Sequence, residues 1–245
     1  MIGELFGLFE LPGFEARYNI APSQNVGVVR LRPEDPPVRR ELVLLRWGLV
    51  PPWADDPSIG NRMINARAES AAQKPAFRKA FARRRCLVVA DGFYEWQGKG
   101  RNKRPYLIRM RDDRPFGFGG LWESWEGADH SHIESCTILT TEANSLVRRL
   151  HDRMPLVVAP EDYARWLDPL RETAAELAEL LRPFPSEPWE AFAVSTRVNS
   201  PANEGPACIA PWEEEPGSRL QGRFCQTPRH GMAGAGRQTG QSGGS

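Results

Sequence analysis

Short runs of apolar residues recur along the first 212 positions, and turns that contain Gly or Pro separate them. Runs of about four to eight β-prone residues between turn signals are typical of strands. The pattern therefore predicts a series of short strands. They are Val26–Leu31, Leu42–Trp47, Cys86–Ala90, Tyr106–Met110, Phe116–Leu121, Cys136–Thr140, Leu156–Val158 and Phe192–Val194.

Helical spacing of apolar residues is rarer than the strand pattern. Pro160 followed by two acidic residues marks a helix start, because proline is favoured at the first helical position and acids in the first turn. The other predicted helices are Ala66–Arg84 with a break at Pro75, Glu142–Leu150, and Arg171–Arg182 as the clearest pattern. Strands dominate, so we expect an α+β fold with a β-barrel-like antiparallel core and short flanking helices.

Composition divides the chain into two parts. Overall, 40% of the residues are apolar and 26% are charged, which is ordinary for a globular protein and excludes collagen-like and wholly disordered classes. Residues 1–212 form one predicted domain. Residues 213–245 are rich in Gly, Ser and Gln after an acidic run, so they bury too little apolar surface and are predicted to be disordered.

Charge and cysteine content narrow the class of protein. The net charge is only +1, so a nucleic-acid site must be a local basic patch. No apolar run is long enough to span a bilayer, and the first residues lack the basic segment of a secretory leader. The four cysteines, at positions 86, 136, 208 and 225, form no CxxC motif. We therefore expect a cytoplasmic protein that has no membrane partner.

Two ionisable residues are candidates for proton transfer. Glu95 lies between Tyr94 and Trp96 after a buried-looking strand, and an aromatic setting would raise the pKa of its carboxyl group. The alternative is a glutamate at a strand end that points into solvent. His151 lies between a helical pattern and a strand, and histidine titrates near neutral pH. The alternative is a histidine hydrogen-bonded for packing.

Candidates for nucleic-acid binding stand beside the predicted elements. Asn65 offers planar donors and an acceptor, and Arg67 offers a fork for phosphate; the alternatives are a capping asparagine and a solvent-exposed arginine. Trp53, between two prolines and two aspartates, is the tryptophan most expected to be exposed and able to stack on a base. Most of the other tryptophans are expected to be core residues.

Metal and thiol chemistry have weaker support. His130 and His132 lie in an acidic loop without a third defined ligand, so we expect a solvated hairpin loop and no metal or cofactor. Cys86 and Cys136 each lie inside an apolar strand, which favours small apolar filler over a nucleophile. A thiol peptidase that pairs one of them with His151 is the alternative.

Eight segments occur in an order that resembles a known family. They are RYNIAPSQ, WGLVPPW, INARAES, VVADGFYEW, GLWE, TILTTEAN, HDRMPLVV and VSTRVNSP, and together they span nearly all of residues 4–210. This order is similar to that of the SOS response-associated peptidase (SRAP) family, the abasic-site processing proteins. The resemblance implies a compact α+β fold with a barrel-like core and a concave basic face.

The resemblance also implies an activity. Family members act in the SOS response to DNA damage, carry a nominal autoproteolytic peptidase activity, and bind single-stranded DNA, including junctions with duplex. An amino-terminal cysteine links covalently to an abasic site: its amine condenses with the sugar aldehyde, and its thiolate closes a thiazolidine. On this basis we expect a hydrolase or lyase without cofactors that is a cytoplasmic monomer, associated with the nucleoid when bound to DNA.

Three matching positions take catalytic roles from the family. Asn65 would orient the terminal amine, Glu95 would serve as general acid and base in imine formation, and His151 would move protons during ring opening and reversal of the link.

Four further positions take DNA-binding roles from the family. Arg67 and Arg153 would hold phosphates on either side of the lesion, while Pro22 and Trp53 would wedge and stack against bases where duplex meets single strand. Because such a patch is local, the small net charge of the whole chain is compatible with it.

The start of the chain departs from the family pattern. The family begins Met-Cys-Gly-Arg, whereas this chain begins Met1-Ile2-Gly3-Glu4 and has its first cysteine at Cys86. Either the start was assigned too late in the gene, or the chain is an inactive relative that binds single-stranded DNA without covalent chemistry. We favour the first explanation because Asn65, Glu95 and His151 are all present. A missing first strand would leave an unpaired barrel edge.

Overall fold

The computed structural model describes residues 2–13, 15–32, 39–98, 100 and 103–212, so the predicted disordered segment 213–245 lies outside the described residues. The described chain contains short helices and eleven strands. The helices are α1 (Ile2–Phe6), α2 (Ala68–Ala71), α3 (Arg78–Arg83) and α4 (Tyr163–Leu167). The strands are β1 (Asn25–Leu31), β2 (Arg40–Trp47), β3 (Asn65–Arg67), β4 (Arg85–Ala90), β5 (Gly92–Gln97), β6 (Arg104–Met110), β7 (Phe116–Glu126), β8 (His132–Glu142), β9 (Arg153–Pro155), β10 (Val157–Val158) and β11 (Trp189–Ala193).

Five strands close into a barrel in the order β7–β4–β1–β2–β8, with β8 pairing back onto β7. Three short strands extend this sheet, since β3 and β9 pair with β8 and β10 pairs with β7. A separate sheet has the order β11–β6–β5. This architecture confirms the predicted α+β fold with a barrel-like core.

The expectation of a purely antiparallel core is wrong at two pairings. β8 runs parallel to β2 and parallel to β3. Parallel partners need a long crossover, and here most of the chain between β2 and β8 supplies it. An apolar run predicts a strand but carries no record of its partner's direction, so the sequence pattern missed the mixed pairing.

The barrel interior is filled by one face of each of its strands. The registers place Val28 opposite Val88, Val88 opposite Phe118, and Gly120 opposite Ile138. One buried cluster contains Val28, Val88, Phe118 and Ile138, together with Leu45. Side chains alternate across a strand, so the intervening residues face the outer layer.

The outer layer packs short helices against the barrel. Phe6 of α1 is fully buried and stacks on Tyr163 of α4, with ring centroids 5.0 Å apart. Trp166 of α4 is also fully buried and donates its indole N–H to the carbonyl oxygen of Cys86 at 2.8 Å. Among the described residues, no helix is long and apolar enough to cross a membrane.

The clearest helix prediction, Arg171–Arg182, is wrong. The segment forms successive turns in which Leu180 N donates to Leu177 O at 2.9 Å, a contact three residues back. In an α-helix the same N–H would donate to Glu176 O, but Arg165 of α4 already donates to that oxygen at 3.0 Å. The carbonyl group of Glu176 thus has a tertiary partner where the helical pattern predicts a main-chain one, while Leu177 stays buried.

Two other helix predictions are only partly right. Ala66–Arg84 begins as β3 and then contains α2 and α3, which lie on either side of Pro75. Glu142–Leu150 contains only a 3-10 turn at Val147–Arg149, because β8 continues to Glu142. The predicted start at Pro160 is confirmed, as a 3-10 turn at Pro160–Asp162 that leads directly into α4.

Strand β5 was not predicted from the apolar pattern. Both of its faces are covered, so its side chains show no simple alternation of buried and exposed positions. Phe93 packs with the barrel cluster, whereas Tyr94 and Trp96 pack with Val198 and the carboxyl-terminal segment. A strand covered on both faces loses the period-two signal on which the sequence analysis relied.

Candidate functional site

Strand β8 brings together three of the predicted site residues. Its Thr140 is paired with Arg67 of β3 on one side and with Pro155 of β9 on the other. Asn65 and Arg67 are exposed on β3, while the residue between them is buried. Arg153, two residues before Pro155, begins β9. The parallel β3–β8 pairing thus places residues distant in sequence on adjoining strands.

Arg153 is held by a carboxylate that the sequence analysis did not single out. Its guanidinium donates to both Glu69 oxygens, at 2.7 and 2.9 Å, and also to Thr140 O. The hydrogen bonds from Arg153 lower the pKa of Glu69, and the nearby charge of Arg67 acts in the same direction. Two predicted phosphate ligands therefore share one acidic neighbour.

His151 lies on the surface beside the main chain of Arg153. Its Nδ1 is 3.0 Å from Arg153 N and 3.1 Å from Arg153 O. A neutral ring can accept from that N–H, and a ring protonated at Nδ1 can donate to that carbonyl oxygen. The backbone therefore offers Nδ1 a partner whether or not that nitrogen carries a proton.

Glu95 of β5 lies close enough to His151 for the two charges to interact. Burial raises the pKa of the Glu95 carboxyl group, and the positive charge of His151 opposes that rise. Gln97 Nε2, at the end of β5, approaches Arg149 O at 3.5 Å and joins this strand to the segment before His151. The structure thus brings together two of the three predicted catalytic residues.

The origin of the burial of Glu95 differs from the prediction. Tyr94 and Trp96 were expected to desolvate the carboxyl group from either side. On a strand, adjacent side chains point to opposite faces, and both rings pack with the carboxyl-terminal segment. Glu95 shares the face of Phe93, which packs with the barrel cluster. The barrel side, rather than the neighbouring rings, therefore excludes water from the carboxyl group.

Trp47 forms a hydrogen bond with the main chain next to Asn65. Its indole Nε1 donates to Ile64 O at 2.8 Å, in the residue directly before Asn65. The next residue, Gly48, has φ of 131°, and a Cβ there would lie only 2.6 Å from Gly60 O. Glycine is required at this position because an added side chain would collide with the backbone that leads to β3. The sequence analysis did not predict this hydrogen bond of Trp47.

Pro22 occupies an exposed turn that is anchored to Trp47. Gln24 N donates to Ala21 O at 3.2 Å, and Ser23 N donates to Trp47 O at 2.8 Å. Ser23 has φ of 73°, the conformation that the third residue of a type II turn requires. The turn exposes Pro22 and is bonded to Trp47, the residue whose indole also bonds to Ile64 before β3.

Asn19 is a structural residue of this region that the sequence analysis did not identify. It is buried, and its Nδ2 lies within 3.2 Å of the carbonyl oxygens of Val198, Ser200 and Asn203. Glu204 also accepts from Tyr18 N at 2.5 Å. The only signal in the sequence was the polar RYN string itself, because the partners lie almost the whole chain away.

Trp53 is confirmed as an exposed tryptophan, with 58% of its surface accessible. It lies in a turn in which Ala54 N donates to Pro51 O at 3.0 Å. Trp125 of β7 donates its indole N–H to Ala54 O at 2.7 Å and fixes that turn to the barrel. Among the described residues, no hydrogen bond joins Trp53 to the pair formed by Glu95 and His151.

The thiol and metal alternatives gain no support from the fold. Cys86 and Cys136 are fully buried in the barrel, and burial raises the pKa of both thiols, that of Cys136 to about 12. His130 and His132 are exposed at the β7–β8 turn, where His130 contacts Glu126 and His132 contacts Ser124. In the described part of the chain, no three His, Cys, Asp or Glu side chains converge as a metal site would require.

Similarity to known proteins indicates the family of this chain. The model of the family described as SOS response associated peptidase (SRAP) matches residues 5–201. The abasic site processing protein YoqW of Bacillus subtilis (strain 168) is 41% identical over 197 residues, which cover 80% of this chain and 86% of the relative. The abasic site processing protein HMCES of Gallus gallus is 33% identical over 198 residues, covering 71% of this chain and 58% of the relative.

Solved structures show the same fold. A crystal structure of a protein from Bacteroides thetaiotaomicron superimposes with a TM-score of 0.68 at 28% identity, covering 78% of this chain and 82% of that protein. A protein from Bordetella bronchiseptica superimposes with a TM-score of 0.64 at 30% identity, covering 75% and 90% respectively. Taken with the extent of the family match, these similarities establish that the chain belongs to the SOS response-associated peptidase family.

Proposed function

We propose that this protein processes abasic sites in DNA, and that it binds single-stranded DNA, including junctions with duplex, across β3, β9 and the turns of Pro22 and Trp53. In this proposal Arg67 and Arg153 hold phosphates, while Pro22 and Trp53 contact bases. The names of the relatives as abasic site processing proteins support the substrate. The exposure of Arg67 and Trp53 supports the binding surface.

The observation that carries the catalytic part is the half-buried carboxyl group of Glu95 beside His151. Condensation of a terminal amine with the sugar aldehyde gives a carbinolamine, which must lose water to become an imine. Loss of water needs a proton on the departing hydroxyl, and a carboxyl group with a raised pKa holds that proton more often near neutral pH. Glu95 is therefore the proposed general acid, and Asn65 the residue that orients the amine.

His151 is the proposed proton carrier of the later steps. Ring closure joins the thiolate sulfur to the imine carbon, and the nitrogen takes up one proton. Reversal breaks that carbon–sulfur bond and needs a proton on the sulfur. The main chain of Arg153 holds the ring of His151 at Nδ1, and an imidazole ring can both donate and accept a proton, so it suits both directions.

The covalent step needs a nucleophile that the described cysteines do not offer. Cys86 and Cys136 are buried in the barrel, and Cys208 is also buried. We therefore propose that an accessible amino-terminal cysteine is required for the covalent link, and that a form of the protein without one binds abasic DNA noncovalently. The noncovalent binder is the second candidate function, and the burial of these three thiols favours it for such a form.

A gel time course on an abasic single strand tests both candidates. The chain beginning Met1-Ile2 should shift the oligonucleotide but give no band that survives denaturation. A variant with cysteine directly after the initiator methionine should give such a band. In that variant, Glu95→Gln should slow band formation by about 10²- to 10⁴-fold, the usual cost of losing a general acid. His151→Ala should chiefly slow release into competitor DNA.

The exposed Glu187→Gln exchange is the matched control and should change neither rate. Unchanged rates in both Glu95→Gln and His151→Ala would remove these residues from the mechanism. A covalent band from the chain beginning Met1-Ile2 would show that another nucleophile serves. Failure of that chain to bind abasic or intact single strands would overturn the proposed function as a whole.

A further inference from the structure

A groove lies beside Trp53, between its turn and helix α3. It has a volume of about 320 Å³, and we call it the Trp53 groove. The residues that matter for its chemistry are Trp53, Pro75, Arg78, Lys79 and Glu123. Trp53 is the one residue that the groove shares with the proposed DNA-binding surface, and Arg78 and Lys79 have no role in that surface so far.

The walls of the Trp53 groove are held firmly by the core. On one side, the bond from Trp125 to Ala54 O fixes the Trp53 turn. On the other side, α3 buries Ala80 and Phe81 completely, which turns Arg78 and Lys79 outward. Because neither wall has to order on binding, a ligand would meet a preformed surface.

The charges of the groove are unevenly compensated. Glu123 at the floor is buried and accepts from Arg84 at 2.8 Å, so its charge already has a close partner. The side chains of Arg78 and Lys79 are exposed and make no hydrogen bond or salt bridge with any described residue. The charge of Lys79 acts on Glu123 only through space, where it lowers the pKa of that carboxyl group. The groove therefore presents two cations without a bonded partner beside an exposed indole ring.

An exposed aromatic ring next to free cations suits a nucleotide chain. Bases of any sequence can stack on an indole, and the phosphates that follow each base pair with Lys and Arg side chains. A proline-rich peptide would also suit an aromatic groove with proline walls, but its backbone is uncharged and would leave both cations without partners. The charge pattern thus favours nucleic acid over peptide.

We propose that the Trp53 groove is a second DNA-anchoring site: a base stacks on Trp53 and the phosphates next to it bind Arg78 and Lys79. This inference rests on the proposed DNA binding and extends the contact surface from Trp53 to α3. It assigns Arg78 and Lys79 a role in affinity for longer strands. Both residues lie outside the chemistry of the abasic site.

The test compares the double variant R78A/K79A with wild type on intact single strands of about 20 and about 5 nucleotides, across a salt series. Each phosphate contact contributes about 0.7 to the salt slope, so the slope on the long strand should fall by about 1.4. If the variant and wild type bind equally at 1 M salt, a slope difference of about 1.4 makes the variant bind about 25-fold more weakly at 0.1 M salt. Affinity for the short strand should change less than twofold.

The double variant R111A/R114A is the matched control, because it removes the same charge from the β6–β7 turn. That turn precedes Phe116, at the opposite end of β7 from Glu123. The variant R78K/K79R keeps both charges and should retain the wild-type slope. Circular dichroism melts should be alike for all variants, since these side chains are on the surface.

Equal salt slopes for R78A/K79A and R111A/R114A on the long strand would overturn the inference while leaving the proposed function in place. A smaller salt slope for R78A/K79A on the long strand, with wild-type affinity for the short strand, supports both the inference and the proposed function. Tight binding of a proline-rich peptide, abolished by Trp53→Ala, with no slope change on DNA would assign the groove to a protein partner instead. Absence of any DNA binding by wild type would overturn both proposals.

Discussion

At the scale of single residues, pairing decides what each charged group can do. Arg153 forms an ion pair with Glu69, while Arg67 is exposed and interacts with the same carboxylate only by long-range electrostatics. Glu95 has no ion-pair partner as close, and burial controls its protonation. Residues of one chemical type thus have different roles because their neighbours differ.

Glu69→Gln should strengthen binding to single-stranded DNA. Glutamine keeps acceptor capacity but lacks the charge that competes with phosphate for Arg153, and the bond to Thr140 O still holds the guanidinium in place. We expect the salt slope to steepen by about 0.7, which is about fivefold in affinity at 0.1 M salt. Fluorescence anisotropy across a salt series measures both quantities.

Glu142→Gln at the end of β8 is the control, because that carboxylate is exposed and lies 3.8 Å from Arg148. It should leave the slope near its wild-type value. A loss of affinity in Glu69→Gln would mean that the carboxylate orients Arg153 for phosphate instead of competing with it.

Glu95→Gln should raise the melting temperature at mildly alkaline pH. The folded-state pKa of Glu95 is raised, so this residue contributes stability that is complete below the unfolded pKa of about 4.3 and is lost as pH rises through the folded value. Glutamine has no charge to bury. The melting temperature of Glu95→Gln should therefore exceed that of wild type at pH values above the folded pKa of Glu95 and equal it below the unfolded pKa.

Calorimetric melts at both ends of the pH range measure the difference. The exposed Glu187→Gln exchange should show the same melting temperature as wild type at each pH. A stabilisation of Glu95→Gln that is equal at low and high pH would contradict the link to ionisation.

At the scale of elements, the segment from Trp47 to Trp53 connects two parts of the proposed surface. Its first residue supports the carbonyl group before Asn65, and its last residue lines the Trp53 groove. Leu49 and Val50 between them are fully buried, so the segment is anchored along its length. Disturbance of its backbone should therefore affect both ends.

Gly48→Ala should destabilise the fold by about 2 to 4 kcal/mol, because it combines a left-handed backbone with a collision. The added Cβ would lie 2.6 Å from Gly60 O at φ of 131°. Urea unfolding measures the loss. Gly27→Ala in β1 is the matched control: its nearest neighbour is a Leu42 side-chain atom at 3.7 Å, and it should change stability by less than about 1 kcal/mol. Equal stability of the two variants would contradict the assigned strain.

At the scale of the whole molecule, charge closes one part of the barrel. Arg30 of β1 is buried and donates to Glu41 of β2 at 2.7 Å and to Glu134 of β8 at 2.5 Å. Its guanidinium also lies 4.2 Å from the ring of Trp122 in β7. The Arg30 side chain therefore contacts three neighbouring strands of the barrel, β2, β8 and β7. Elsewhere in the barrel, apolar side chains make the contacts between strands.

Arg30→Met should cost about 3 kcal/mol of unfolding free energy, because it leaves the carboxylate of Glu134 without this cation and that of Glu41 with Arg32 alone, in a partly buried setting. Arg83→Met is the control, since Arg83 pairs with Glu172 at the surface and should cost less than about 1 kcal/mol. Chemical denaturation with both variants gives the comparison. Similar costs would show that the barrel does not depend on this buried cation.

Local patterns determined most of the strands and the exposed position of Trp53. Val26–Leu31 and Cys86–Ala90 both correspond to barrel strands, and proline and aspartate neighbours marked Trp53 as a surface residue. These features depend on residues close in sequence, which is why a pattern could predict them. The motif strings were also sufficient to suggest the family, which the family comparison then established.

Tertiary structure alone decided the features that depend on distant partners. The parallel β2–β8 and β3–β8 pairings, the fork of Arg153 on Glu69 and the approach of His151 to Glu95 all join segments far apart in the chain. Likewise, the helical pattern of Arg171–Arg182 yielded to a contact from Arg165. Sequence spacing encodes the local conformational preference of a residue, whereas its protonation, pairing and exposure depend on neighbours that only the closed barrel brings together.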